Sequence, residues 1–304
     1  RFTRVFVDGV PVNQPGGAHD FGNAVPLEWE RIEVVRGAAS SLYGTDALAG
    51  VVHFVSRRGQ GHPAGTIEAE GGDHDWRRAH GATSGRAGAF DWNVGVQRLT
   101  TDNELANNAF AQTAVAGSLG ARIGAQGTLR LIVRGDRSQT GTPGAAAFGR
   151  PDLDATFERD DRVAGASFRW AGDGLSHELR AGLAQTGQLS LNPLDSGSYL
   201  PSFGDRVAAF PFSDFPDALG FQNDTDRLSF GYQAERQVGA RHLLTAGAEL
   251  ERETGELGSR ADEELLSPTR TNAGVYVQDR LVLGDRVYAT VGGRLEHNDN
   301  FGTR

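Results

Sequence analysis

Residues Glu30 to Gly59 read ERIEVVRGAASSLYGTDALAGVVHFVSRRG. Two apolar runs, Ile32/Val34/Val35 and Val51/Val52/Phe54/Val55, flank a stretch of small residues. β-branched runs bounded by glycine read as strands. Gly37, Gly44 and Gly50 stand where the backbone must turn or pack closely. Upstream, Asp8-Gly9 lies between Val5–Val7 and Val10–Val12, a hairpin signal because a tight turn needs positive φ. Pro15-Gly16-Gly17 breaks that pattern, and residues 21–29, with Pro26, read as a loop.

From Gly61 the texture changes to short alternating segments. Phe90, Trp92, Val94 and Val96 alternate with Asp91, Asn93, Gly95 and Gln97; Leu228, Phe230, Tyr232 and Ala234 alternate with Ser229, Gly231, Gln233 and Glu235. A period of two with one apolar and one polar face is a β-strand. The alternation predicts about eleven strands, over 65–71, 76–84, 90–100, 112–121, 127–136, 159–170, 176–188, 225–236, 241–252, 272–283 and 286–297. Short connections near 85–89, 122–126, 171–175, 237–240 and 284–285 alternate with mostly longer ones at 101–111, 137–158, 189–225 and 253–271; 72–75 is the short exception. Outer-membrane barrels alternate short periplasmic turns with long extracellular loops, which makes the first strand rise from the periplasm. Arg and Glu beside Gly on the polar faces suit a wet lumen.

Composition is compatible with this and excludes little. The chain has 304 residues, 42 of them Gly, no Met and no Cys. The absence of Met suggests an internal piece of a longer protein, and the absence of Cys rules out disulfides and thiolate metal sites. The hydrophobic fraction is 38% and mean hydropathy is −0.40. No run approaches the ~20 apolar residues of a spanning helix, but in a barrel only alternate residues face lipid. A net charge of −9 argues against nucleic-acid binding, which rests on Lys/Arg neutralising phosphates.

Chemistry-bearing patterns are sparse. Ser40-Ser41 lack a nucleophile elbow, and no Ser/His/Asp grouping stands out, so no catalytic residue and no enzyme activity are expected. His74 and His80, with Asp73 and Asp75, match no usual zinc spacing, so neither metal nor cofactor is expected. Gly16-Gly17 and Gly71-Gly72 do not open phosphate loops. The long connection 189–225 carries Tyr199, Phe203, Phe210, Phe212, Phe215 and Phe221 with Asp195, Asp205, Asp214 and Asp217. Such aromatics either grip a ligand or pack the loop on itself and the barrel rim.

Glu30-Arg31-Ile32-Glu33-Val34-Val35-Arg36-Gly37, Ser41-Leu42-Tyr43-Gly44, Asp46-Ala47-Leu48, Gly50-Val51-Val52 and Arg57-Arg58-Gly59 together resemble the C-terminal half of the plug domain of TonB-dependent outer-membrane receptors. The likeness extends back to the turn at Val7-Asp8-Gly9-Val10-Pro11, and 271–296 resembles a strand pair of the same family's barrels. Ala38 stands where Pro is common and His53 where Asn is common. The resemblance implies the C-terminal part of a mixed α/β plug (1–60), followed by half of a roughly 22-stranded all-β membrane barrel (61–304). It also implies uptake of a ferric siderophore or a cobalamin across a bacterial outer membrane. The energy would come from a TonB-family partner contacting a segment outside this sequence. A surface receptor or adhesin barrel without transport is the alternative. In the family, plug arginines pair with barrel glutamates. Arg31, Arg36, Arg57 and Arg58 are therefore expected to face Glu249, Glu251 and Glu296, with Arg36 on Glu249 or a neighbour, unless these are independently wetted lumen charges.

Overall fold

The computed structural model describes residues 3–15, 17, 19–23, 25–37, 40–44, 46–144, 146–284 and 287–303. A four-stranded sheet is built from β1 (Thr3–Val7), β2 (Val10–Pro11), β3 (Trp29–Arg36) and β4 (Gly50–Ser56), in the order β2-β1-β4-β3. The single-turn helix α1 (Ser40–Tyr43) joins β3 to β4. Asp8 and Gly9 have φ of 46° and 85°, the double positive φ of a type I′ turn, and close the β1–β2 hairpin. β1 runs parallel to β4 at the centre of the sheet and is covered on both faces. Val5 and Val7 pack with Val10 and Phe54, while Phe6 packs with Ala47 and Val51.

The second sheet contains β5 (Ala64–Gly71), β6 (Arg77–Ala87), β7 (Phe90–Thr101), β8 (Phe110–Ile123), β9 (Gly127–Gly141), β10 (Thr156–Gly172) and β11 (Leu175–Asn192). A loop hairpin follows, β12 (Ser202–Phe203) with β13 (Arg206–Val207). The sheet then resumes with β14 (Asp217–Val238), β15 (His242–Ser259), β16 (Thr269–Leu283), β17 (Val287–Asn298) and the two-residue β18 (Gly302–Thr303). Its twelve strands lie in chain order, antiparallel throughout. The eleven long ones fall on the spans expected from alternation. Ala38, where Pro was the family's habit, Gly16, and Asp285 and Arg286 at the last turn lie outside the described residues.

Burial in this sheet is inside-out. In β7, Asp91, Asn93 and Gln97 are buried while Phe90, Val94 and Val96 are exposed. Ser118, Ser138 and Thr245 repeat the buried polar row, and Leu119, Leu131, Phe230, Leu250 and Val277 the exposed apolar one. Polar groups turn inward and apolar groups outward, the arrangement of a wall between a wet lumen and lipid. Ile132 is an instructive exception. It lies on the polar face yet is 3% exposed, because Val5, Val7 and Val10 of the small sheet pack against it. Contacts with the small sheet and its loops come from strands β6 to β17, so the wall curves around them.

The structure mainly lengthens the expected strands. Extensions cluster at the long-loop end: β9 runs to Gly141, β11 to Asn192 and β15 to Ser259, while β14 starts at Asp217. β14 has 22 residues, reaching ~70 Å, well beyond a ~30 Å hydrocarbon core even when tilted. Beyond the lipid both faces are wet, so the apolar alternation ends although the hydrogen-bond ladder continues.

His53, in the place of the family's Asn, accepts a hydrogen bond at Nε2 from the Gly9 N–H at 3.0 Å. That ring nitrogen must be unprotonated to accept, and Nδ1 lies 3.7 Å from the Glu33 carboxylate. Burial holds the imidazole below its ordinary value of 6.5, opposed by Asp8 and Glu33. The folded state thus favours neutral His53. Its contribution is full above about pH 6.5 and declines as the pH falls below that value, where the unfolded chain takes up the proton first. Thermal melting of the small sheet between pH 8 and 5 should show this loss, and His53→Asn should reduce the slope.

Candidate functional site

The two sheets meet in a closed ring of alternating charges. Arg4 of β1 pairs with Glu251 of β15; Glu251 accepts from Arg227 of β14 at 3.0 Å; Arg227 reaches Glu253 at 2.5 Å. Glu253 receives a two-pronged contact from Arg270 of β16, at 2.8 and 2.9 Å. Arg270 lies 3.8 Å from Asp46, which lies 3.7 Å from Arg4 and closes the circle. Three arginines and three carboxylates alternate, so each charge has two neighbours of opposite sign and the ring is neutral. Arg4 and Asp46 come from the small sheet and its loop, the other four from the wall. Arg4, Arg227, Glu251 and Glu253 are each under 10% exposed. Burial holds the Arg4 guanidinium below its ordinary value, and Asp46 opposes that shift. Arg227 also donates to the Asn13 carbonyl at 2.6 Å, tying the loop after β2 to the wall.

Strand register builds the wall side of the ring. Arg227 sits directly across from Glu253, and Glu253 directly across from Arg270. Glu249, Glu251 and Glu253 share one face of β15 at spacing two. A second cluster borders the ring. Arg294 donates to Glu249 at 3.0 Å and to Glu296 at 2.7 Å, and Arg180 lies 3.9 Å from Glu249.

The three expected carboxylates therefore all sit at this junction, but the expected cations lie elsewhere. Arg31 pairs within the exposed β3, with Glu33 at 2.7 Å and Glu30 at 3.1 Å. Arg36 ends that same exposed strand, while Arg57 is 3.8 Å from Glu28 and Arg58 is exposed. The reason is topological: β3 is the outer strand of its sheet, and its charges point away from the described wall. β1, by contrast, lies in the middle with both faces covered. Sequence reasoning missed Arg4, Asp46, Arg227, Glu253 and Arg270. Glu253 and Arg270 lie just outside the expected strands 241–252 and 272–283, so their opposition to Arg227 appears only with the register. Arg36→Ala should leave the junction with β14–β17 intact, since Arg36 takes part in none of its ion pairs among the described residues. Its effect should add to that of Glu249→Ala in a double-mutant cycle on the whole protein.

At the long-loop end, the loop between β2 and β3 lies beneath the connections. His19 meets Phe21 edge-on at 4.8 Å, and Asp20 pairs with Arg159 of β10 at 3.3 Å. Above, Tyr199 and Phe212 form a paired backbone bridge with rings 6.5 Å apart. Phe203 packs on Phe148 of the neighbouring connection at 5.6 Å. Phe210 and Phe215 are 67% and 81% exposed. Asp214 accepts from the Ser196 and Phe215 N–H groups and from Asn192, which hold its carboxyl below the usual range and fix the base of the loop. Some of the aromatics thus brace the loops, and others face outward. His74 and His80 diverge: His74 is in the turn before β6, while His80 lies 3.2 Å from Glu28. Among the described residues, no group of three or more His, Cys, Asp or Glu could hold a metal.

Two family models match the sequence: TonB-dependent Receptor Plug Domain over residues 1–51, and TonB dependent receptor-like, beta-barrel over residues 71–304. A Vitamin B12 transporter BtuB of Vibrio cholerae serotype O1 is 35% identical over 98 residues, covering 31% of this chain and 16% of that protein. The siderophore receptor PirA from Pseudomonas aeruginosa has the same fold, with a TM-score of 0.72 at 19% identity over 100% of this chain and 49% of its own. A mutant ferric enterobactin receptor PfeA from the same organism, in complex with enterobactin, gives 0.75 at 18% over 99% and 51%. The chain spans about half the length of these solved receptors.

Proposed function

The chain belongs to the TonB-dependent receptor family, and from that premise we propose energy-coupled uptake of a scarce ligand, a ferric siderophore or a cobalamin, across the bacterial outer membrane. Residues 1–60 are the C-terminal part of the plug, and 61–304 the first half of the barrel. The observation that carries the reading is a small sheet held inside a curved, inside-out wall by a buried ring of ion pairs. Such a ring is strong when complete and costly when broken. It holds a plug that must stay seated until work is done on it. A TonB-family protein would supply that work, and the exposed aromatics of the 193–216 loop would contact the ligand outside.

Cells carrying the whole receptor should accumulate labelled cobalamin or a labelled ferric siderophore only while the inner membrane is energised. Binding without energised uptake would favour a surface receptor or adhesin instead. Removing residues 198–213 should weaken ligand binding, as measured by titration on purified receptor. Unchanged affinity would remove the loop from the ligand site.

A further inference from the structure

The plug touches this half of the wall in two unlike ways. Against β6 to β11 the contact is keyed by side chains that enter glycine holes, beside a cavity of about 100 Å³ lined by Trp29, Arg134 and Asp136. Val10, at the start of β2, is 3% exposed and enters a hole made by Gly165 and Gly182, which face each other across β10 and β11. A Cβ on Gly182 would stand 2.7 Å from Val10 Cγ1, and one on Gly165 2.8 Å from Val10 Cγ2. Glu28 enters a second hole, at Gly95 of β7, where a Cβ would stand 2.6 Å from its Cγ. There its carboxylate takes a hydrogen bond from Asn93 at 2.7 Å and lies 3.2 Å from His80. Glu28 holds a φ of 53° to do so, a conformation unfavourable for a residue with a side chain. Leu27, 1% exposed, packs on Ala114 and Ala116, and Arg134 covers the Trp29 ring at 3.3 Å.

Against β14 to β17 the contact is ionic. Below the ring lies a polar chamber of about 300 Å³ between the plug and the wall, lined by Tyr43, Arg180, Glu235, Glu249 and Gln278 and bounded on the keyed side by Val10. Its wall residues approach the short-turn, periplasmic ends of their strands. Close-packed apolar knobs lose all their contacts when withdrawn. Charges beside a polar chamber can exchange a partner for water.

We propose that the plug does not leave the wall evenly. It stays keyed at Gly95, Gly165 and Gly182, and the passage opens on the opposite arc, where the ring parts and the outer vestibule joins the polar chamber. This inference rests on the transport reading above. The ligand would then descend past Gln278 and Tyr43, with Val10 left in its glycine hole.

Disulfide cross-linking of the whole receptor tests it, since this chain contains no cysteine of its own. The 2.7 Å approach places the β-carbons of Val10→Cys and Gly182→Cys near the ~4 Å that a disulfide spans. Uptake by the oxidised V10C/G182C receptor should match that of the same receptor after reduction. Alkylation of Gln278→Cys with a bulky maleimide should abolish most uptake and leave surface binding intact. Loss of uptake on oxidation, restored by reduction, would overturn the proposal, as would full uptake past the Gln278 adduct. A labelling readout covers the case in which the disulfide does not form. During energised transport a single Val10→Cys should stay unreactive and Tyr43→Cys should gain reactivity, and the reverse pattern refutes the inference. Uptake by the unaltered receptor is measured alongside. Its absence counts against transport itself, whereas its presence confines any failure to the keyed arc.

Discussion

Glu251→Ala should loosen the seated plug by about 3–5 kcal/mol, the range for removing one partner of a buried ion pair. Glu251 answers both Arg4 and Arg227, each about 5% exposed or less. Without it, Arg4 keeps Asp46 at 3.7 Å, and Arg227 keeps Glu253 and the Asn13 carbonyl. The loss is dominated by guanidinium groups stranded away from water rather than by the attraction removed. Denaturant-driven release of the plug in the whole receptor can be followed through the fluorescence of Trp29, whose ring lies under Arg134. The double variant Arg4→Met/Glu251→Leu should be more stable than Glu251→Ala alone, because it removes a stranded charge along with its partner. Equal losses would mean that the two residues do not act on each other.

Gly50→Val should be as damaging by a different route. Gly50 pairs with Arg36 at the end of the β3–β4 ladder and adopts a φ of 143°, a region essentially closed to other residues. A Cβ there would run into the Val35 carbonyl oxygen, which is backbone and cannot swing away. Strain of ~1–3 kcal/mol and a clash of ~1–3 kcal/mol together exceed what one sheet junction tolerates. The plug of such a receptor should fail to seat, and reconstituted protein should leak solutes that the parent excludes. Gly37→Ala is the contrast. Gly37 has a φ of 90° with nothing among the described residues within 4 Å of an added Cβ, so a conformational cost of ~1–2 kcal/mol is expected without a backbone clash.

What the sequence disclosed follows from which physical signals are periodic. In β7, lipid on one side and a wet lumen on the other impose a period of two on Phe90 to Gln97, and that strand is visible without coordinates. The period fades at 217–224 and 254–259, beyond the lipid, and those strand ends were not visible. Glu249, Glu251 and Glu296 could be placed on the lumen face because their strands alternate. The plug cation could not be chosen from composition. Arg31 and Arg36 belong to an apolar strand much like the one that carries Arg4, and only the sheet order, with β1 inside and β3 outside, separates them. Of the ring's row, Arg227 fell on an expected strand, whereas Glu253 and Arg270 lie just beyond the expected 241–252 and 272–283 and joined it only through the longer strands and their register.

The neutrality of that ring bears on the environments in which such a receptor can operate. An exposed ion pair weakens as dissolved salt screens it, over a Debye length of ~8 Å at physiological strength and ~3 Å at 1 M. A circuit of three positive and three negative groups, four of them buried, offers small ions little access and no net charge to gather around. Plug retention should therefore be nearly the same in brine as in fresh water, and a receptor fastened this way is insulated from the salinity of its surroundings.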